Sequence, residues 1–196
     1  MFFPVFIPVQ NRPILLVGAG QVALGKAEKL LLFKPQLHVI ATNSLPQFNQ
    51  WAQDGKLTLD IREFSMSDLE GYDIVIMAVD DIGLQKQVFE YCRERRILCN
   101  CVDVPEYCSW IFPALVKRDN FTVAISTGGK APFMAGTLKK WIDQALPLEL
   151  DDIVAKVDQF RQSSEVLSLK TATERGKKVI TFAKQLLNDL KSQKPL

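Results

Sequence analysis

Short apolar runs rich in β-branched residues alternate with helical stretches along much of this chain, and this alternation limits the possible folds more than any other feature. The runs lie at 14–17, 37–41, 57–61, 74–79, 98–102 and 121–125, with helical periodicity at 22–33, 45–52 and 84–96. Short, nearly continuous apolar runs are typical of strands buried on both faces. The βαβαβ order therefore predicts an α/β fold, a doubly wound parallel sheet with helices on both sides.

The pattern changes after Ser126. A glycine pair and Pro132 precede a helix predicted over 133–146, which Pro147 ends, and from Leu150 onward only helical signals remain. The last helix carries an apolar stripe, namely Val179, Phe182, Ala183, Leu186, Leu187 and Leu190. Because residues three and four apart share one helix face, the stripe needs a partner. That partner is either another subunit or the preceding helix, through Leu150, Ile153, Val154 and Val157.

We expect three parts in the chain. Residues 1–113 form the nucleotide-binding domain, 114–147 form a dimerisation segment that also contributes to the substrate pocket, and 148–196 form a small C-terminal helical domain. A chain of 196 residues is long enough for one good core and an accessory element.

Charge and composition exclude several classes of protein. The net charge of +2 is spread along the chain, so the basic patch of a nucleic-acid-binding protein is missing. The apolar N-terminus lacks a basic start and is interrupted by Pro4, Pro8 and Pro13, which predicts neither a signal peptide nor a membrane span. We therefore expect a cytoplasmic protein with reduced cysteines that binds neither nucleic acid nor membrane.

A glycine-rich turn directly follows the first predicted strand. Residues 18–23, Gly-Ala-Gly-Gln-Val-Ala, read as G-x-G-x-x-A between a strand and a helix, the context that gives this short string its meaning. Gly18 makes the tight turn, Gly20 lets a pyrophosphate approach the backbone, and Ala23 allows close packing of helix and strand. The phosphates then face free N–H groups at Gln21 and Val22. A turn needed only for packing is the alternative, and the context favours a dinucleotide site on a Rossmann-type sheet.

The residues after the second strand indicate which dinucleotide is bound. An acidic residue about 20 positions beyond the glycines usually accepts the ribose hydroxyls of NAD, whereas a basic residue favours the 2′-phosphate of NADP. Here the strand ends in Thr42 and Asn43, and positions 35–55 contain no Lys or Arg. We expect NAD as the cofactor, with Thr42 and Asn43 as neutral partners of the adenosine ribose.

Two aspartates follow the fourth predicted strand, at the edge where open α/β sheets bind ligands. Asp80 either lines the cofactor cleft or caps the following helix, and the sequence leaves both roles open. Aspartate is common at the start of a helix, and capping is the main role that we expect for Asp81.

Metal binding is not predicted. Cys99 and Cys101 lie two apart in a predicted strand and so face the same side, where His38 or Cys108 would complete a site. However, the spacing of the four cysteines, which include Cys92, matches no common zinc pattern, and cysteine packs well as a small buried hydrophobe. We expect His38 in the core or on a sheet face.

Six short strings occur in a fixed order between Phe3 and about Pro147. They are F-P-V-F at 3–6, the glycine turn through Lys26, A-V-D-D at 78–81, N-C-V-D at 100–103, F-P-A at 112–114 and S-T-G-G-K-A-P at 126–132. In this order and spacing they resemble the precorrin-2 dehydrogenase family, which includes stand-alone enzymes and the N-terminal module of bacterial siroheme synthases. Four departures are small: Ala19, Val79, Cys101 and Ala131 replace Gly, Thr, Val and Ser, and Ala131 receives no role.

The resemblance implies NAD-dependent oxidation of precorrin-2 to sirohydrochlorin, with Asp103 as the functional aspartate. This reaction removes a hydride and a proton, so the site needs a nicotinamide acceptor and a base. A carboxylate at the end of a strand near the cofactor suits that second role. The alternative for Asp103 is a turn residue or helix cap before Pro105.

The same resemblance places Ser126, Thr127, Gly128 and Gly129 beside the tetrapyrrole. A hydroxyl- and glycine-rich turn before a helix is a suitable anion site, and the substrate carries many carboxylates. An ordinary helix start has the same residues, so this point stays open. The resemblance also implies a homodimer, formed through the region after the sheet domain near Trp141 and Leu186, and leaves ferrochelatase activity undecided.

Two other functions fit part of the sequence. A non-enzymatic regulatory protein that senses NAD through a Rossmann domain explains residues 18–23 but neither Asp103 nor the 126–132 segment. A dehydrogenase of small hydroxy acids usually needs a catalytic His or Lys, a substrate-orienting Arg and a full second domain, for which this chain has no room. The NAD-sensing protein is therefore the main alternative to a precorrin-2 dehydrogenase.

Overall fold

A computed structural model describes residues 2–193, which belong to two units. The first unit contains the chain up to 112 together with 128–130, and the second contains 113–127 and the chain from 131 onward. No helix within 2–193 is long and apolar enough to cross a membrane.

The first unit is a parallel sheet whose strands are connected by helices. Its strands are β1 (Pro13–Val17), β2 (Gln36–Ala41), β3 (Thr58–Ile61), β4 (Ile74–Met77) and β5 (Leu98–Cys101). Its helices are α1 (Gln21–Leu31), α2 (Pro46–Gln53) and α3 (Ile82–Arg95), with short 3-10 helices at Met66–Leu69 and Pro105–Tyr107. The strand order is β3-β2-β1-β4-β5, and every neighbouring pair is parallel. The predicted Rossmann-type sheet is therefore confirmed.

The central strands are buried on both faces. In β1, Ile14 and Leu16 pack into the hydrophobic cluster on one side of the sheet, and Leu15 and Val17 pack into the cluster on the other. All four are at most 2% exposed. Full burial of one such side chain contributes about 1.5–3 kcal/mol. Burial on both faces explains why this strand appears in the sequence as a continuous apolar run and not as an alternating one.

The chain reverses its direction across the sheet between β1 and β4. It moves outward from β1 to β3 and then returns to β4 on the other side of β1. At such a reversal the loops after the two central strands leave a crevice outside the carboxyl edge of the sheet, where this class of fold binds its ligands. The loops that follow β1 and β4 are therefore the expected place for a functional site.

The second unit combines an antiparallel hairpin with helices. The hairpin is β6 (Ala114–Lys117) and β7 (Thr122–Ile125), and the helices are α4 (Pro132–Ala145), α5 (Glu149–Arg161), α6 (Ser164–Leu167) and α7 (Ala172–Gln193). Phe160 of α5 and Phe182 of α7 stack with their ring centroids 4.2 Å apart. The apolar stripe of the last helix thus packs on the preceding long helix, one of the two partners that the sequence allows.

The sixth apolar run, at 121–125, forms β7 and does not join the parallel sheet as the alternation predicts. The cause is a turn at Asp119 and Asn120, closed by a hydrogen bond of 3.0 Å from the Arg118 N–H to the Phe121 carbonyl. Asp and Asn favour such turns, and a short turn can connect only antiparallel strands. The other strand of this hairpin, β6, is absent from the elements predicted by sequence.

Candidate functional site

The first glycine of the turn after β1 is required by packing. Gly18 has a φ of +103°, which residues with a side chain rarely adopt, and its N–H donates to the Ile40 carbonyl at 2.8 Å. A Cβ atom on Gly18 would lie 2.3 Å from the carbonyl oxygen of Ala78, directly after β4. The absent side chain therefore lets the turn lie against β4, as predicted for a tight turn.

The second glycine has open space around it instead. Gly20 precedes the first residue of α1, is exposed, and would have no neighbour within 4 Å of a Cβ atom. The first turn of α1 has no capping side chain and no acidic residue. Gln21 and Val22 lie in that turn and are exposed, and their N–H groups precede the first intrahelical bond, from Leu24 to Gly20. Such a helix start is suited to an anion.

A cleft of about 530 Å³ lies at the carboxyl edge of the sheet. The loops after β1, β2, β3 and β4 line it, and these include five predicted cofactor residues, namely Gly18, Gly20, Thr42, Asn43 and Asp80. Gln21 and Val22 are next to the cleft in sequence but do not line it. Most small-molecule sites have volumes of about 300–1,000 Å³, so this cleft is of the expected size.

Sequence reasoning missed one cation in the cleft. Arg62 follows β3, and because β3 pairs with β2 in parallel, its N–H donates to the Ala41 carbonyl at 2.9 Å. It therefore lines the same cleft as Thr42 and Asn43. The stretch 35–55, which contains no Lys or Arg, covers only the second strand and its helix, whereas Arg62 follows the neighbouring strand. The available sequence signal is the position of Arg62 directly after the third apolar run.

The Arg62 guanidinium is held by carboxylates. It donates two parallel hydrogen bonds to Asp68, of 2.7 and 2.8 Å, and its Nε lies 3.6 Å from an oxygen of Asp60. These hydrogen bonds lower the pKa of Asp68 and, in the reverse sense, raise the pKa of Arg62. The pair is therefore charged on both sides over the physiological pH range.

The two aspartates after β4 have different positions. Asp81 caps α3, since its Oδ1 accepts a hydrogen bond of 2.9 Å from the Leu84 N–H, and the predicted capping role is confirmed. Asp80 is exposed and lines the cleft, so its position fits the cofactor site better than a cap.

The predicted functional aspartate occupies an unusual backbone position. Asp103 follows β5 and has a φ of +63°, in the left-handed region that non-glycine residues rarely adopt. The parallel pairing of Met77 with Cys101 places it at the same edge of the sheet as the loop of Asp80. Its side chain is exposed. Backbone strain of this kind is frequent at functional sites, and Asp tolerates it better than most residues.

A second cation of the first unit, Lys26, also escaped assignment by sequence. It lies in α1, partly buried, with its Nζ 4.8 Å from the centroid of the Phe112 ring. The pKa of Lys26 is lowered, because the effect of burial exceeds the effects of Asp103 and Cys108, which act to raise it. Lys26 is part of the family-like glycine string, which was the available signal.

The turn at 126–129 precedes α4; its residues 126 and 127 belong to the second unit and 128 and 129 to the first. Gly128 and Gly129 have φ values of +65° and +81°. The Thr127 hydroxyl accepts a hydrogen bond of 3.1 Å from the Ala131 N–H, and Pro132 is the first residue of α4. Ser126 is exposed. These features are those of a helix start, and the predicted contact with a tetrapyrrole remains a prediction.

Neither the four cysteines nor His38 lines the cleft, although His38 and Arg62 both contact the carboxylate of Asp60. Hydrogen bonding with Cys101 and Cys92, together with burial, raises the pKa of Cys99, and the sulfurs of Cys99 and Cys101 are 3.7 Å apart. His38 lies on β2 between the Tyr72 hydroxyl at 2.5 Å and Asp60 at 3.1 Å. Within residues 2–193, no three His, Cys, Asp or Glu side chains are grouped so as to hold a metal ion.

Comparison with known proteins gives relatives for most of the chain. The siroheme synthase 1 of Aeromonas hydrophila is 36% identical over 174 residues, which are 89% of this chain and 38% of the relative. The siroheme synthase of Enterobacter sp. is 40% identical over 158 residues, 81% of this chain and 35% of the relative. Siroheme synthase 2 of Cronobacter sakazakii is 36% identical over 190 residues, which are 97% of this chain and 41% of the relative. The chain thus spans between a third and a half of the length of these relatives.

A solved structure shares the fold. SirC, a precorrin-2 dehydrogenase, superposes with a TM-score of 0.72 at 17% sequence identity, covering 97% of this chain and 100% of that one. The family described as putative NAD(P)-binding matches residues 5–114. This match confirms the predicted NAD cofactor at the level of a nicotinamide dinucleotide. The chain therefore belongs to the putative NAD(P)-binding family and is related to the siroheme synthases, as the order of its sequence strings predicts.

Proposed function

We propose that this chain oxidises precorrin-2 to sirohydrochlorin, with NAD as the hydride acceptor. The observation that carries the proposal is the cleft at the carboxyl edge of the sheet, where the glycine turn, Thr42, Asn43 and Asp80 come together. The relationship to siroheme synthases supports the choice of pathway. The four free cysteines support a reaction in the reducing cytoplasm.

The residues of the cleft fit a dinucleotide. The open space at Gly20 admits a pyrophosphate, and the uncapped start of α1 offers N–H groups to its charge. The exposed side chains of Thr42 and Asn43 offer hydrogen-bonding groups to a ribose. When NAD is bound, its nicotinamide ring supplies the acceptor for the hydride of the substrate.

Asp103 takes the proton in this proposal. Oxidation of the substrate releases one hydride and one proton, and a carboxylate oxygen of Asp103 receives the proton. Its place at the edge that also carries the cleft supports this role. The left-handed backbone fixes the direction in which the carboxylate leaves the strand. Lys26 lies close enough to Asp103 for that carboxylate to act on its pKa, against the larger effect of burial.

Substrate binding involves residues beyond 113. The turn at 126–129, which precedes α4, supplies hydroxyl and N–H donors for substrate carboxylates. In this arrangement residues 1–113 bind the cofactor, 114–147 contribute to the pocket and to dimerisation, and 148–196 form a helical domain. Two copies associate through the apolar surface of α4, where Phe133 and Trp141 are 83% and 59% exposed.

The test is anaerobic incubation of the purified protein with enzymatically made precorrin-2. Wild type with NAD should convert the absorption spectrum of the substrate to that of sirohydrochlorin. Asp103→Asn should slow this conversion by about 10²–10⁴-fold, the usual contribution of a general base. Asn tolerates the left-handed backbone, so this variant keeps the fold and its affinity for NAD.

Each outcome of this test has one meaning. If wild type binds NAD but leaves the substrate spectrum unchanged, the dehydrogenase assignment is wrong and the NAD-sensing alternative replaces it. If Asp103→Asn retains full turnover, only the role of Asp103 is wrong. Addition of Fe²⁺ or Co²⁺ to the product in the same cuvette decides ferrochelatase activity, which our proposal leaves open.

A further inference from the structure

Arg62 is the one cation among the described residues that line the cleft. The bond from its N–H to the Ala41 carbonyl places its backbone beside the end of β2, immediately before Thr42 and Asn43. In sheets of this type, the residues after the second strand contact the adenosine ribose, and a basic side chain there accepts the 2′-phosphate of NADP. Arg62 therefore stands where a 2′-phosphate would need it.

The donors of Arg62 are largely in use. Its terminal nitrogens donate to both oxygens of Asp68, and one of them also donates to the Glu63 carbonyl at 3.0 Å. The Nε atom of Arg62 lies 3.6 Å from a carboxylate oxygen of Asp60. A guanidinium carries five N–H groups in a rigid fork, and carboxylate is a preferred bidentate partner for it. Little of this fork is left for another anion.

Asp68 is itself fixed in position. One of its oxygens accepts a hydrogen bond of 2.8 Å from the Ser65 N–H, as part of a capping box on the 3-10 helix Met66–Leu69. Its side chain is only 17% exposed, whereas that of Arg62 is 42% exposed. Asp60 and Glu63 add further negative charge beside the guanidinium. The local charge is therefore negative, although a cation lines the cleft.

We propose that Asp68 sets the preference of this protein for NAD over NADP, because it engages the one cleft cation that would otherwise bind the 2′-phosphate. The inference rests on the proposed binding of NAD in this cleft. A neutral residue pair on β2, Thr42 and Asn43, accounts for acceptance of NAD. The Arg62–Asp68 pair adds rejection of NADP, since a 2′-phosphate meets carboxylates and an occupied guanidinium.

The test compares binding of NAD⁺ and NADP⁺ to wild type and Asp68→Asn by isothermal titration calorimetry. Asparagine keeps the size of the side chain and an oxygen for the Ser65 N–H but loses the charge that holds Arg62. We expect Asp68→Asn to bind NADP⁺ about tenfold more tightly than wild type does, because the released guanidinium makes one charge-assisted contact to the phosphate. The affinity for NAD⁺ should stay within about threefold of the wild-type value.

Two controls separate the released guanidinium from a general change of charge. The double variant Arg62→Ala/Asp68→Asn should lose the gain for NADP⁺. Glu63→Gln makes the same change of net charge at the cleft but leaves Arg62 paired, so its gain should be clearly smaller. If Asp68→Asn does not fold, Asp68→Gln also removes the charge that holds Arg62, keeps a side-chain oxygen at a capping-box position where Gln is common, and should shift the affinity for NADP⁺ in the same direction.

The outcomes distinguish this inference from the proposed function. If wild type binds neither dinucleotide, the cofactor cleft is misassigned and the inference fails with it. If wild type binds NAD⁺ and Asp68→Asn binds NADP⁺ no better than wild type does, only the role of Asp68 is wrong. The inference is also wrong if the gain in NADP⁺ affinity persists in the double variant, or if Glu63→Gln produces a gain of the same size.

Discussion

Gly18 and Ala78 approach so closely that a Cβ atom on the glycine would lie 2.3 Å from the carbonyl oxygen of the alanine. The contact joins the turn after β1 to the end of β4, the two strands between which the sheet order reverses. It holds one wall of the cleft against the other.

Gly18→Ala should destabilise the fold by at least about 1–3 kcal/mol, because it combines a strained backbone with a steric clash. The measurement is the free energy of unfolding in urea. Gly55→Ala is the matched control, since Gly55 also has a positive φ, of +69°, but no neighbour within 4 Å of a Cβ atom. It should cost only the backbone strain, about 1 kcal/mol. Equal losses in the two variants would show that the contact with Ala78 is unimportant.

Gly20→Ala should cost at most about 1 kcal/mol of stability, because Gly is preferred over Ala at a helix N-cap, and it should weaken NAD binding. Its methyl group meets no protein atom within 4 Å and instead occupies space that the pyrophosphate needs. We expect a loss of about tenfold or more in affinity, equivalent to about 1.4 kcal/mol. Gly25→Ala is the control, because Gly25 lies inside α1 and also has open space. That variant should gain about 0.5–1 kcal/mol of stability and bind NAD as wild type does.

The Arg62–Asp68 pair should make stability depend on acidity. Hydrogen bonds from Arg62 lower the pKa of Asp68 in the folded state, so the stabilisation is complete above the unfolded pKa. It is lost as the pH falls through the lower folded pKa, that is, below about pH 4. Urea unfolding of wild type and Asp68→Asn should therefore differ more at pH 7 than at pH 3. A difference of the same size at both pH values argues against the ion pair, and the exposed Glu70→Gln serves as a reference.

Association through α4 predicts a charge-sensitive dimer. Trp141→Glu places a carboxylate in the proposed apolar interface and should convert dimers to monomers in light scattering across a range of concentrations. Lys139→Glu is the control, because two residues correspond to about 200° around a helix and place it on the opposite face. Wild type that stays monomeric at tens of micromolar, or equal effects of both variants, would exclude this surface.

Much of the first unit could be predicted from sequence because its physics is local. Runs such as 14–17 are apolar without alternation, which indicates burial on both faces, and the glycine turn follows the first of them directly. The observed strand β1 differs from the predicted one only by the addition of Pro13. The observed order β3-β2-β1-β4-β5 is the usual one for a Rossmann-type sheet, which the glycine turn indicates.

The rest depended on contacts between distant residues. The run at 121–125 has the composition of a sheet strand, and only the Asp119–Asn120 turn and β6 decide that it pairs antiparallel. Arg62 enters the cleft because β3 lies beside β2, a pairing that no window along the second strand contains. The left-handed backbone of Asp103 likewise has no signature in composition.

The lining of the cleft comes from the loops after four different strands, β1 to β4. In an unfolded chain those loops are remote from one another, so only the assembled sheet presents a complete binding surface. A ligand at a concentration of 100 times its Kd therefore adds about 2.7 kcal/mol to the stability of the folded state. Dinucleotide supply would then govern resistance to proteolysis, because the bound cofactor would hold the four loops together.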